Sequence, residues 1–158
     1  AVRISEPITI DGKLDEAAWQ KAIPVKDFTQ RVPRLGAPPS DPTEVRILYD
    51  DKNLYIGATA FDSDPKHEII SELTEDFSFF NNDVISVVID TLHDRRSGFG
   101  FVVNPAGARY DVQISNDGVL NGDWDGVWDA KAGAAESFGG SRNATSPASV
   151  SSASSPTV

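Results

Sequence analysis

The chain has 158 residues, a formal net charge of −10 and no cysteine. This length suits one domain with a sizeable core, and no apolar stretch is long enough to span a bilayer. The acidic charge argues against binding to nucleic acid or to an anionic membrane surface. The lack of cysteine excludes disulfides and thiolate metal sites.

The N-terminal part of the chain predicts short strands followed by one short helix. Residues 2–4 and 8–10 are strand-like segments bounded by turn residues. Residues 14–22 follow helical spacing and have acidic residues in the first turn, which favours one or two helical turns. Trp19 lies in this segment and is predicted to fill one end of the core. Residues 31–42 are rich in proline, glycine and serine and predict a surface loop.

An antiparallel hairpin is the strongest local pattern in the sequence. Apolar and polar residues mostly alternate over residues 43–49, polar turn residues occupy 50–53, and residues 54–61 are apolar, β-branched or aromatic. Two such segments separated by a short polar turn are typical of a hairpin. Both strands are apolar enough to lie within a two-sheet core.

The second half of the chain continues with strands. Residues 83–90 are apolar on both faces and predict a central strand. Residues 99–103 and 108–114 alternate, and a last strand is predicted from residue 127 to residue 132. Residues 116–126 form an acidic, glycine-rich loop. Short strands separated by turn signals predict an all-β fold, an antiparallel β-sandwich with one short N-terminal helix.

The C-terminal segment differs in composition from the rest of the chain. Residues 133–158 are rich in serine and alanine and have no usable hydrophobic period. Such a segment buries too little apolar area to offset its ordering entropy, so we expect it to be disordered or weakly attached. The predicted organisation is therefore a sandwich domain over residues 1–132 followed by a low-complexity tail.

Four segments together resemble family 9 carbohydrate-binding modules: ITIDGKLDEAAW, TEVRILYDDKNLYIGATAFDSD, NNDVISVVID and GFGFVVNPAGARYD. They resemble even more closely the carbohydrate-binding-like domain at the N-terminus of a family of uncharacterised bacterial outer-membrane proteins. The match covers residues 8–132. It implies a jelly-roll-like β-sandwich that binds a poly- or oligosaccharide without cleaving it and contains structural calcium. It also implies a secreted, periplasmic or cell-surface location.

The resemblance further implies a binding site in which two tryptophans enclose a sugar ring. Phe80 stands where one of these tryptophans is found, and Asn81 and Asn82 match neighbouring polar positions, whereas Val102 replaces an arginine of the family. The second tryptophan belongs to a C-terminal portion that this chain does not contain. We therefore expect residues 133–158 to be a frameshifted, truncated or vector-derived end.

The residues themselves indicate a binding surface formed by two loops, residues 75–82 and 116–125. Aromatic rings stack on the apolar faces of sugars, while amides and carboxylates bond the hydroxyl groups. Trp124 is flanked by two aspartates in a glycine-rich loop and is predicted to be exposed, whereas Trp128 lies on a strand pattern that favours the core. The candidate carbohydrate-binding residues are Phe80, Asn81, Asn82, Asp123, Trp124 and Trp128.

Calcium is the expected cofactor because oxygen ligands recur at short spacing in two places. The first candidate set comprises Asp117, Asn121, Asp123 and Asp125, and the second comprises Asp62 and Asp64. The alternative is that these side chains are solvated turn formers, the usual role of aspartate in loops.

Catalysis is the weaker hypothesis. Glycoside hydrolysis needs two carboxylates about 5–9.5 Å apart, and a chain with 24 acidic residues offers such pairs by chance. His67 and His93 lie in predicted polar turns with no nucleophile beside them. We therefore expect a non-catalytic protein. A third hypothesis is a structural or docking domain of a cell-surface protein without a ligand of its own.

Overall fold

The structure is a computed structural model that describes residues 1–63, 74, 76, 82–133 and 148–153. Within these residues no helix is long and apolar enough to cross a membrane. The elements, in chain order, are β1 (Val2–Arg3), α1 (Ala17–Lys21), β2 (Thr43–Tyr49), β3 (Asn53–Ala60), β4 (Ile85–Ile89), β5 (Gly98–Val103), β6 (Arg109–Ser115), β7 (Val119–Asn121), β8 (Trp128–Lys131) and β9 (Ala148–Ala153). The prediction of an all-β sandwich with a short N-terminal helix is confirmed.

The described strands form two sheets. Sheet A has the order β1-β2-β3-β9-β8, and sheet B has the order β4-β5-β6-β7. Ile56 and Ala130 of sheet A pack against Phe101 and Val103 of sheet B, so the main core lies between the sheets. Pairing is antiparallel except between β1 and β2, which run parallel. The connection between these two strands contains α1 and is long enough for the crossover that parallel pairing requires.

A second apolar cluster covers the other face of sheet A. Leu48 and Tyr55 are paired across β2 and β3 and alternate with the residues that point between the sheets, so they face α1. Trp19 is fully buried in this cluster, and its indole Nε1 donates a hydrogen bond of 2.9 Å to Glu16 Oε2. A Cβ at Gly57 would lie 2.9 Å from the Trp19 ring, so only glycine permits this close approach. Trp19 thus packs on the outer face of sheet A and does not fill the end of the inter-sheet core.

The β2–β3 hairpin pairs antiparallel as predicted, with Leu48 opposite Tyr55. β2 has the predicted bounds, whereas β3 begins and ends one residue earlier than the predicted 54–61. Its turn depends on the carboxylate of Asp50. That group accepts hydrogen bonds from the backbone N–H groups of Lys52 and Asn53, both at 2.7 Å, and from the Tyr55 hydroxyl at 2.8 Å. The bonds from Lys52, Tyr55 and Asn53 lower the pKa of Asp50 to about 2.

Asp50 is expected to make the stability of the protein depend on pH. Because its pKa is lower in the folded state, the stabilisation is present above the ordinary value of 3.8 and is lost as the pH falls towards about 2. Asp50→Ala should therefore lower the melting temperature at pH 7 and have little effect near pH 2. Thermal unfolding followed by circular dichroism checks this. Asp51→Ala, which removes an adjacent exposed carboxylate paired with Arg3, is the control, and an Asp50 effect equal at both pH values would contradict the prediction.

Among the described strands, residues 83–90 do not form the predicted central strand. β4 lies at the edge of the described part of sheet B and pairs with β5. Ile85, Val87 and Ile89 pack into the inter-sheet core, whereas Val88 is 64% exposed on the opposite face. Apolar residues on both faces of a strand indicate that both faces are suited to burial, but they do not determine how many strands pair with it.

Two strands occur where none was expected. β7 lies within the loop predicted for residues 116–126, and its residues are exposed at the edge of sheet B. β9 lies in the segment expected to lack regular structure and joins β3 to β8 through antiparallel pairing on both sides. Backbone hydrogen bonding needs no hydrophobic pattern, so a serine-rich segment is able to fill a gap between two strands. The structure differs from the predicted tail in residues 148–153, and the domain boundary at residue 132 stays a prediction.

Candidate functional site

Four aromatic side chains form a cluster on the inner face of sheet B, named here the tryptophan cluster. Phe99 and Phe101 alternate with glycines on β5, so both rings point to the same face. The Trp124 ring centre lies 4.6 Å from that of Phe99 and 6.0 Å from that of Phe101, while the Trp128 centre lies 5.1 Å from that of Phe101. Trp124 and Trp128 are half-buried, so each indole presents part of its surface to solvent.

The two tryptophans reach this cluster by different routes. Trp128 is the first residue of β8, whereas Trp124 belongs to the β7–β8 loop, residues 122–127. A Cβ at Gly126 would lie 2.6 Å from the outer edge of the Trp124 ring. The absence of a side chain at this position therefore allows the loop to fold back over its own tryptophan.

Asp111 on β6 is a buried carboxylate beneath the β7–β8 loop, 8% exposed. Its Oδ2 accepts a hydrogen bond of 2.6 Å from the backbone N–H of Gly126. The Trp128 side chain lies close enough to act as a second donor that lowers the pKa of the carboxylate. Burial raises the pKa of Asp111, the charges of Asp125 and Asp76 add to the rise, and these hydrogen bonds oppose it.

Arg109, two residues before Asp111 on the same face of β6, holds Trp128 from another side. Its guanidinium carbon lies 5.7 Å from the centre of the Trp128 ring, within the range of a cation–π interaction. Nη1 donates a hydrogen bond of 2.9 Å to the Trp128 carbonyl and lies 3.5 Å from Asp129 Oδ1. The orientation of Trp128 is therefore defined by two residues of β6, Arg109 and Asp111.

The structure brings only some of the predicted carbohydrate-binding residues together. Trp124 and Trp128 share the tryptophan cluster, and Asp123 is exposed in the same loop as Trp124. The expectation that Trp124 is an exposed ring is corrected, because packing on Phe99 buries part of it. Trp128 packs on the core as expected. Asn82 is half-buried, and Phe80 and Asn81 lie outside the described residues.

The candidate calcium ligands do not form one cluster. Asp117 forms a bidentate salt bridge with Arg96: Nε lies 2.7 Å from Oδ1 and Nη2 lies 2.9 Å from Oδ2. Asn121 Oδ1 accepts a hydrogen bond from the backbone N–H of Asp123, and both side chains are exposed, as is Asp125. Asp62 is half-buried, and Asp64 lies outside the described residues. Within the described part of the chain, no three acidic or histidine side chains converge as a metal site. Calcium binding stays a prediction.

Sequence reasoning missed Asp111 and Arg109 as members of this site. One signal was present: Arg109, Asp111 and Gln113 alternate with apolar residues on β6, so three polar side chains share one face. That face is the one that carries Phe101 on the neighbouring strand. Polar side chains next to inward-pointing aromatic rings indicate that water reaches this part of the sheet. The sequence of β6 alone does not identify their partners, because these lie in the β7–β8 loop and at the start of β8.

Comparisons with solved structures identify the fold. A family 9 carbohydrate-binding module from Caldicellulosiruptor kristjanssonii in complex with cellotriose superposes with a TM-score of 0.59 at 16% identity, covering 99% of this chain and 68% of that one. A structure of such a module from the same organism in complex with glucose gives a TM-score of 0.57 at 16% identity, covering 99% and 71%. The chain matches no protein-family model, and no curated protein matches it. The chain therefore has the fold of a family 9 carbohydrate-binding module.

Proposed function

We propose that this protein is a non-catalytic carbohydrate-binding module that recognises a poly- or oligosaccharide by aromatic stacking. The observation that supports this most directly is Trp124, which is half-buried and packs against Phe99 with the ring centres 4.6 Å apart. The solved modules of the same fold bind glucose and cellotriose. A ring fixed in this way offers a flat apolar face at little entropic cost, which suits stacking on a pyranose.

The proposed roles follow from what each group offers to a sugar. Trp124 supplies the stacking face, and Trp128 lines the same surface beside it. Asp123 and Asp125 flank Trp124 with exposed carboxylates that are able to accept hydrogen bonds from sugar hydroxyls. Phe80, Asn81 and Asn82 remain proposed contacts from the preceding loop. A secreted, periplasmic or cell-surface location is proposed because polysaccharides are found there.

The test is the affinity of the protein for cellotriose and glucose, measured by isothermal titration calorimetry, with affinity electrophoresis against a panel of polysaccharides. Trp124→Ala should weaken binding about 10-fold or more, because a stacked ring contributes both buried area and a specific aromatic interaction. Phe28→Ala, which removes an aromatic ring 37% exposed in the α1–β2 connection and outside the tryptophan cluster, is the matched control and should bind like the wild type.

Three results would contradict the proposal or part of it. An unchanged affinity in Trp124→Ala removes Trp124 from the site, and a wild type that binds no glycan of the panel favours the structural or docking alternative. Release of reducing sugar from any glycan of the panel would favour a glycoside-active enzyme. In that case, a pair of carboxylates would have to be found at the separation that hydrolysis requires.

A further inference from the structure

Asp111 is an unusual residue for its position. Within the described residues, Asp111 and Asn104 are the buried polar side chains. A carboxylate removed from water costs free energy unless hydrogen bonds or opposite charges compensate for it. The compensation here comes largely from one segment of chain, because the Gly126 N–H donates to Asp111 and the Trp128 side chain beside the carboxylate also favours its charged form.

The two donors bracket the end of the β7–β8 loop. Gly126 lies two residues after Trp124, and Trp128 begins β8. Asp111 Oδ2 would lie 3.1 Å from a Cβ at Gly126, and the Trp124 ring would lie 2.6 Å from the same point. The carboxylate and the Trp124 indole thus both lie against Gly126, so the position of the carboxylate helps to determine where the loop backbone lies beside the ring.

The remaining charged groups around Asp111 do not provide an equivalent support. Asp125 and Asp76 are negative and oppose its ionised form. Arg109 is engaged with the carbonyl and ring of Trp128 and lies 3.5 Å from Asp129. The hydrogen bond from Gly126 and the neighbouring Trp128 indole are therefore the contacts by which Asp111 holds the loop.

We infer that Asp111 is a positioning residue that fixes the β7–β8 loop and both tryptophans in the orientation that a sugar would meet. It does not touch the sugar, and it acts by bonding one backbone N–H and one indole N–H. Its effect on affinity rests on the proposed function, whereas its effect on the two tryptophans does not. This separation allows the two ideas to be tested independently.

The test compares Asp111→Ala with Asp111→Asn in the full chain, and Asp51→Asn serves as a control for the change of charge at a remote exposed site. The readouts are the amide resonance of Gly126 and the indole N–H resonance of Trp128 in nitrogen–proton correlation spectra, quenching of tryptophan fluorescence by acrylamide, and cellotriose affinity. Asp111→Ala should shift both resonances, increase quenching and weaken binding about 10-fold, because both donors lose their acceptor. Asp111→Asn keeps one acceptor oxygen, so it should shift one resonance strongly and restore most of the affinity.

Asp111→Ala spectra that match the wild type in both resonances and in quenching would overturn the inference. If Asp111→Ala does not fold, Asp111→Asn decides: with unchanged far-ultraviolet circular dichroism, two unshifted resonances reject the positioning role and one shifted resonance supports it. A wild type that binds no glycan of the panel refutes the proposed function alone, because the resonances still report on Asp111.

Discussion

Replacing Trp19 with alanine is expected to lower the free energy of unfolding by about 3–5 kcal/mol. The side chain is fully buried against sheet A, where it packs with Leu48 and Tyr55. Its removal would leave a cavity. It would also remove the 2.9 Å hydrogen bond that the Trp19 indole Nε1 donates to Glu16 Oε2. Because most domains are stable by only about 5–15 kcal/mol, the variant should be close to the limit of folding.

Urea denaturation followed by far-ultraviolet circular dichroism measures this change. Trp19→Phe is the companion variant: it fills much of the same volume but lacks the hydrogen bond to Glu16, so its cost should be clearly smaller than that of alanine. A loss below about 1 kcal/mol in Trp19→Ala would mean that the cluster around α1 contributes little to stability.

Replacing Phe101 with alanine should affect stability and the candidate site together. Phe101 is buried between the sheets, and a truncation of this kind costs about 3–5 kcal/mol. Its ring also lies under Trp128 and beside Trp124, with centre distances of 5.1 and 6.0 Å. Under the proposed function, cellotriose affinity should therefore fall in the variant even at temperatures where it is folded.

The measurement combines urea denaturation with cellotriose titration on the same preparations. Phe28→Ala is the matched control, because Phe28 is partly exposed in the α1–β2 connection and its loss should change stability by no more than about 0.5 kcal/mol. A folded Phe101→Ala protein with wild-type tryptophan fluorescence would show that the cluster does not depend on this ring.

Local patterns in the sequence predicted those parts of the fold that depend on local interactions. The β2–β3 hairpin was predictable because alternating residues and the Asp50 turn act within a few residues of one another. The edge position of β4 was not, because it depends on which strands lie beside it. β9 was not predictable from the sequence, because pairing through backbone groups requires no hydrophobic pattern.

The candidate site follows the same division. The glycines and aspartates of residues 116–126 predicted a single loop, but β7 (Val119–Asn121) lies within it, and only the part around Trp124 is a connection. They predicted an exposed Trp124 ring, because Phe99, against which this ring packs, lies on another strand and leaves no signal in the loop sequence. Asp111 is joined to Gly126 across 15 residues of sequence, so neither residue indicates its partner. Only the arrangement of strands relates β6 to the β7–β8 loop.

The position of β9 in sheet A has a consequence for how the protein acquires its structure. Asn53 is paired with Ala153, and β8 meets β3 only through this late strand. A nascent chain that has completed the hairpin would therefore expose the unpaired side of β3 until residues 148–153 have been synthesised. Contacts between such distant positions are associated with slow folding and with a longer period of vulnerability to aggregation.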